Sequence, residues 1–173
     1  MKKLSMVAAT VCGAVACVAA LSAQAKPVKV MLSDAAGKSV GTATLTETKT
    51  GISIALDLMG LPAGEHAIHI HQTAKCEAPA FTTAGGHFNP TTKKHGLDNP
   101  DGHHAGDMKN FTVAANGTAK ATITDDAVTL ADGAASVFTG GGTALMIHAT
   151  ADDMKSDPAG NAGARIACGV IVK

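Results

Sequence analysis

His66-Ala67-Ile68-His69-Ile70-His71 packs three imidazoles into six residues, and its alternation decides how the chain is read. In an extended strand successive side chains point to opposite faces, so Ile68 and Ile70 share one face and His69 and His71 the other. The isoleucine face is the one a core would take. That leaves two histidines together on the opposite face, where they can chelate one ion. His66 has the parity of Ile68 and Ile70 and reads as an inward core histidine hydrogen-bonded to backbone. The same test applied to Leu145-Met146-Ile147-His148 sends Leu145 and Ile147 inward and leaves His148 on the outer face.

Period-two alternation extends along the chain. Val28, Val30 and Leu32 share a face, as do Ile52, Ile54, Leu56 and Leu58, and again Ala119, Ala121 and Ile123. Turn residues separate these runs at 35–38, 50–51, 61–64 and 115–117. Strands are expected near 27–33, 39–48, 51–59, 66–72, 110–115, 118–125, 143–149 and 165–172, with no sustained helical periodicity. Eight short one-sided strands predict an all-β fold, an antiparallel Greek-key β-barrel or sandwich. The only aromatic residues among 173 are four Phe, so the core must be built from Val, Ile, Leu, Met and Ala. Two long Gly-, Pro- and Asp-rich segments, 73–109 and 150–164, interrupt the strand rhythm, and loops of that length are functional or disordered.

The first long segment favours function. It holds His87, His95, His104 and Asp107, separated by eight, nine and three residues, and three nitrogens with one carboxylate suit tetrahedral zinc. His103 is the poorer candidate, because its neighbour His104 is better spaced from Asp107. A closed metal site would also order a polar loop that has little apolar surface to bury.

The N-terminus belongs to none of this. Met1-Lys2-Lys3 is basic, residues 4–22 are mostly small and apolar, and Ala23-Gln24-Ala25 has the small-residue pattern of a signal cleavage site. Residues 1–25 are therefore expected to be a cleaved secretory signal and 26–173 one domain. Ala14-Val15-Ala16-Cys17 departs from a lipoprotein box at Ala14, where Leu is usual, so lipidation is not expected. Loss of Lys2 and Lys3 leaves 12 basic against 14 acidic residues, which suggests neither nucleic-acid nor anionic-membrane binding. The mature chain keeps only Cys76 and Cys168. An even pair in an exported protein is expected to be a disulfide, with two buried thiols as the alternative. Thiolate ligation of copper would need a histidine and a soft axial ligand nearby, and Gly169-Val170-Ile171-Val172-Lys173 offers neither.

Taken together, the motifs resemble the copper/zinc superoxide dismutases. They are the histidine strand with Gly64-Glu65 before it, Gly86-His87-Phe88-Asn89-Pro90, Lys94-His95-Gly96, His104-Ala105-Gly106-Asp107, His148-Ala149-Thr150-Ala151-Asp152-Asp153 and Gly160-Asn161-Ala162-Gly163-Ala164-Arg165-Ile166-Ala167-Cys168-Gly169. The resemblance implies one copper held by His69, His71, His87 and His148, and one zinc held by His87, His95, His104 and Asp107, with His87 bridging. It implies that Asp152 links His69 to His95, that Arg165 holds the superoxide anion, and that Cys76 and Cys168 are joined. The implied reaction is dismutation of superoxide to dioxygen and hydrogen peroxide through a copper redox cycle.

Ala67, Ile68 and Ile70 depart from the usual Gly, Phe and Val of that family's histidine strand, which changes packing and no ligand. Thr73-Ala74-Lys75-Cys76 and the signal segment resemble the bacterial exported branch, so the expected location is the periplasm, with no membrane association after cleavage. In that setting the glycosylation patterns Asn110-Phe111-Thr112 and Asn116-Gly117-Thr118 are expected to be silent. The sequence leaves monomer and homodimer both open. The competing reading is a non-catalytic periplasmic copper/zinc carrier, which would use the same histidines but have no need of Arg165 or Asp152.

Overall fold

A computed structural model describes residues 25–173. The segment read as a secretory signal, with Cys12 and Cys17, lies outside the described residues apart from Ala25. Nine strands follow in chain order: β1 (Val28–Asp34), β2 (Ser39–Glu47), β3 (Ile52–Leu58), β4 (Gly64–His66), β5 (Ile68–His71), β6 (Phe111–Val113), β7 (Ala119–Asp125), β8 (Thr143–His148) and β9 (Arg165–Ile171). Seven form one antiparallel sheet in the order β5-β8-β9-β1-β2-β3-β7, while β4 pairs with β6 and β6 packs beside β7. Because β9 returns beside β1 and β7 beside β3, the sheet curls into a Greek-key barrel. Among the described residues no helix is long and apolar enough to cross a membrane.

The alternation seen in sequence fills the barrel. Val30, Leu32, Leu45, Ile54, Leu56, Ile68, Ile70, Leu145 and Ile147 are buried in one cluster, drawn from five strands. The fourth expected strand, however, is two. Ala67 is the break: its N–H donates to Thr150 O at 2.9 Å and its carbonyl accepts His148 N–H at 3.0 Å, so the chain leaves β6 and crosses to β8 at that residue. Periodicity alone does not reveal a change of partner within an unbroken alternation.

A second departure lies where β8 meets β9. Ile147 pairs with Ala167 but His148 pairs with Arg165, so Ile166 is the extra residue of a β-bulge. Strict alternation would put Arg165 on the side opposite Cys168's neighbour Met146 and His148. The bulge re-aims it to the histidine face.

Both long loops are ordered by backbone bonds. Segment 86–107 adds a short ladder to the free edge of β5, with Phe88 N–H donating to Ile70 O, Ile70 N–H to Gly106 O and Gly106 N–H to Phe88 O. Gly106 is needed there, since a Cβ would overlap the Ile70 carbonyl. Segment 72–86 lies on the outside of β8 and β9, where Phe81 and Ala84 pack on Ala144, Met146 and Cys168. The Cys76–Cys168 disulfide fastens it there, with a Cα–Cα distance of 5.6 Å. Closing a loop with a sequence separation of 92 constrains the unfolded chain by about 4 to 5 kcal/mol in the chain-entropy treatment. A C76S/C168S variant is therefore expected to unfold at markedly lower denaturant in equilibrium unfolding followed by circular dichroism. An unchanged midpoint would mean that the bridge contributes nothing.

Candidate metal centre

His69 and His71 leave β5 on its outer face, His148 ends β8, and His87 stands opposite His71 on the loop ladder. All four are buried, and one ring nitrogen from each lies within 4.8 Å of the others. Those nitrogens are His69 Nδ1, His71 Nε2, His87 Nε2 and His148 Nε2. They are four of the five buried side-chain polar atoms without a hydrogen-bond partner among the described residues. Leaving a buried polar atom unpaired costs about 1 to 3 kcal/mol, so four that converge on one point are explained by a shared ligand that accepts lone pairs.

The other ring nitrogens fix which atom faces the gap. His69 Nε2–H donates to Asp152 Oδ2 at 2.7 Å, His71 Nδ1–H to Gly85 O at 2.9 Å and His148 Nδ1–H to Gly163 O at 3.3 Å. Burial, with neighbouring charge, pushes His71 down to about 2 and both His87 and His148 down to about 4. The rings are therefore neutral at pH 7, the form that binds metal.

A second quartet shares His87. Its Nδ1 lies 2.7 Å from Asp107 Oδ1, which is also 3.1 Å from His95 Nδ1 and 3.2 Å from His104 Nδ1; His104 Nδ1 is 3.3 Å from His87 Nδ1. Ligands at zinc distances of about 2.0 to 2.1 Å on a tetrahedron are separated by about 3.3 Å. The spacing matches a four-coordinate zinc. The other carboxylate oxygen, Asp107 Oδ2, accepts the backbone N–H groups of Gly96 at 2.9 Å and His104 at 3.0 Å. Burial opposes the charge on Asp107, but these donors and the facing imidazoles outweigh it and hold its carboxyl far below the usual range.

Asp152 joins the two quartets. Its carboxylate takes His69 Nε2 on one side and His95 Nε2 on the other, at 3.0 Å from Oδ2 and 3.1 Å from Oδ1. His95 is thus gripped at both nitrogens by carboxylates. Burial pulls its pKa down, yet the combined hydrogen bonds and charges of Asp107 and Asp152 win and raise it to about 9.

Arg165 stands at the edge of the first quartet. Nη1 donates to Phe81 O and Nη2 to Gly85 O, both at 2.7 Å. Gly85 O also takes the proton of His71, so one carbonyl orients a ring of the quartet and the guanidinium together. Arg165 lines an open depression with Pro79, Ala80, Gly163 and Ala164, and its charge is felt at His71 and His148.

The structure thus brings the buried His69, His71, His87, His95, His104, Asp107, His148 and Asp152 into one centre, with the half-buried Arg165 at its rim. Two histidines stay outside. His66 lies inward with Nδ1 at 2.8 Å from His148 O and Nε2 at 2.8 Å from Pro62 O, and His103 Nδ1 donates to His104 O at 2.7 Å. Several contributors were not legible. Phe81, Gly85 and Gly163 act through carbonyls, which carry no residue identity. Asn110, read only as part of a glycosylation pattern, holds the main chain of Asp152. Gly160 leaves room for the carboxylate, since a Cβ there would overlap Asp152 Oδ1 and lie 2.7 Å from His95 Nε2.

Two nitrogen-rich quartets that share one imidazole define a protein built to hold two metal ions side by side. The profile of the copper/zinc superoxide dismutase family matches residues 39–171. The chain is 48% identical to copper/zinc superoxide dismutase 2 of Aquifex aeolicus over 99% of both chains, and 40% identical to that of Escherichia coli K12 over 90% of this chain and 94% of the other. A superoxide dismutase-like protein of Bacillus subtilis superposes with a TM-score of 0.80 at 36% identity, covering 83% of this chain and 97% of that one. The chain belongs to the copper/zinc superoxide dismutase family, and copper and zinc are its cofactors.

Replacing Gly160 by Ala is expected to lower zinc content, measured by elemental analysis, and to destabilise the fold. Gly37→Ala, where φ is +77° and nothing lies within 4 Å, should cost only the roughly 1 to 2 kcal/mol of left-handed backbone and keep its zinc. Equal zinc content in the two variants would mean that overlap with Asp152 is unimportant.

Proposed function

We propose that His69 Nδ1, His71 Nε2, His87 Nε2 and His148 Nε2 hold copper, that His87 Nδ1, His95 Nδ1, His104 Nδ1 and Asp107 Oδ1 hold zinc, and that superoxide is dismutated beside Arg165. The observation that carries this is the convergence of four unpartnered buried nitrogens next to a guanidinium at an open depression. Two superoxide anions and two protons become one dioxygen and one hydrogen peroxide. Copper, when bound, supplies the one-electron couple, and zinc, which has no redox chemistry, supplies a fixed positive charge.

The protein's own groups do the rest. Arg165 binds the anion with a permanent charge in a fixed orientation, which suits a small anion better than a mobile lysine would. His69, His71 and His148 each keep a proton on the second nitrogen, so a turnover proton on any of them would be its second and would put a charge on a buried ring. His87 differs, because its Nδ1 faces Asp107 and the zinc set. Nε2 of His87 is therefore the atom placed to take and return a proton. A carrier would need no guanidinium clamped by two carbonyls at the rim, and that clamp favours the enzyme.

The Lys2-Lys3 start, the apolar run and Ala23-Gln24-Ala25 support export to the periplasm with a mature chain of 26–173.

Protein loaded with one copper and one zinc per chain is expected to consume superoxide, and Arg165→Ala to lower kcat/KM on the order of 10-fold or more through loss of attraction for the anion, with metal content unchanged. Full loading without superoxide consumption would favour the carrier. In the metal-free protein His95, raised to about 9, holds a proton at pH 7 that zinc must displace. Calorimetry in buffers of different ionisation enthalpy should show about one proton released per zinc at pH 7. Zinc affinity should rise with pH until about pH 9. Binding with no proton release would contradict the placement of His95.

A further inference from the structure

Asn110 lies three residues beyond Asp107 and immediately before β6, and its amide lies along the main chain of Asp152. Nδ2 donates to Asp152 O at 3.0 Å, and Oδ1 accepts Asp152 N–H at 2.9 Å. Hydrogen bonds to both peptide groups of one residue are what a neighbouring strand normally provides. Here a single side chain provides them to a residue in a loop without a strand partner of its own.

We propose that Asn110 is a positioning residue for the metal centre, acting through Asp152; the proposal rests on the metal reading above. Asp152 can hold His69 and His95 together only if its backbone is fixed, because its carboxylate is shared between rings from opposite quartets. Asn110 is itself anchored, since Met108 is buried in the barrel core and Asp107 is bound to the loop backbone. A closed circuit results: Asp107 grips His95 Nδ1, His95 Nε2 meets Asp152, Asp152 is held by Asn110, and three peptide bonds return from Asn110 to Asp107. The separation of the two carboxylates that clamp His95 is set by this circuit. Within its own loop the carboxylate also accepts the Met154 N–H on Oδ1 at 2.6 Å, so Met154 steadies the side chain while Asn110 fixes the backbone that carries it. The same two bonds engage the amide of Asn110 and give that residue a use unrelated to its glycosylation pattern.

The test is release of zinc from the copper/zinc-loaded protein into excess chelator, in wild type, Asn110→Ala, Asp152→Asn and the double variant. Partners that orient metal ligands are typically worth about 10- to 100-fold in metal affinity, so Asn110→Ala and Asp152→Asn should each accelerate release by about tenfold or more. The double variant should be no faster than Asp152→Asn, because both changes break one circuit. The visible absorption band of copper(II) should shift in the same direction in both single variants, as His69 loses its orientation. Should Asn110→Ala fold poorly, Asn110→Asp keeps the acceptor for Asp152 N–H and should release zinc at a rate between wild type and Asp152→Asn. Multiplicative acceleration in the double variant would overturn the proposal, as would wild-type release from the Asn110 variants while Asp152→Asn is fast. Wild-type release from Asp152→Asn would overturn both this proposal and the role given to Asp152.

Discussion

Asp107 is a carboxylate with only 3% of its surface exposed, and removing such a charge from water costs several kcal/mol unless it is paired. Everything in the metal centre follows from how that cost is offset. Two backbone N–H groups take one oxygen, and three imidazoles face the other. The donors come from residues 96 and 104 and the rings from 87, 95 and 104, so a single carboxylate gathers the full length of the loop. With its lone pairs committed this way, Asp107 stays charged, raises His95 and leaves a tetrahedral gap of the right size for zinc.

The constraint propagates outward through Asp152. That carboxylate meets His69 on β5 and His95 on the loop, and it ties the 150–164 segment to both. Gly160 leaves the space it needs and Asn110 holds its backbone. On the far side, the disulfide and a small apolar cluster press the 72–86 segment against β8 and β9, where Gly85 O serves His71 and Arg165 together. Preorganisation of this kind matters for a diatomic substrate, which brings almost no binding surface with which to pull a loose site into shape.

The barrel was legible because its strands are half-buried and alternate cleanly. Ile68 and Ile70 declare a core face, so His69 and His71 must point away from it, and the same parity sends His66 inward. What parity cannot carry is a change of partner or an inserted residue. Ala67 breaks the expected fourth strand without disturbing the alternation, and Ile166 bulges out of register, turning Arg165 toward His148. Arg165 was reachable only through resemblance to a family. Carbonyl acceptors at Phe81, Gly85 and Gly163 have no sequence signal at all, because every residue has one. Asn110 and Gly160 were visible as letters but not as parts, since their roles depend on contacts across 42 residues in one case and on an absent side chain in the other.

One imidazole, His87, is proposed to stand between two different metals. Anomalous diffraction from crystals of the loaded protein, collected on both sides of the copper and zinc absorption edges, tests it directly. Two peaks are expected to flank that ring, copper at Nε2 beside His69, His71 and His148, and zinc at Nδ1 beside His95, His104 and Asp107. A single ion, or two ions of which neither touches His87, would contradict it.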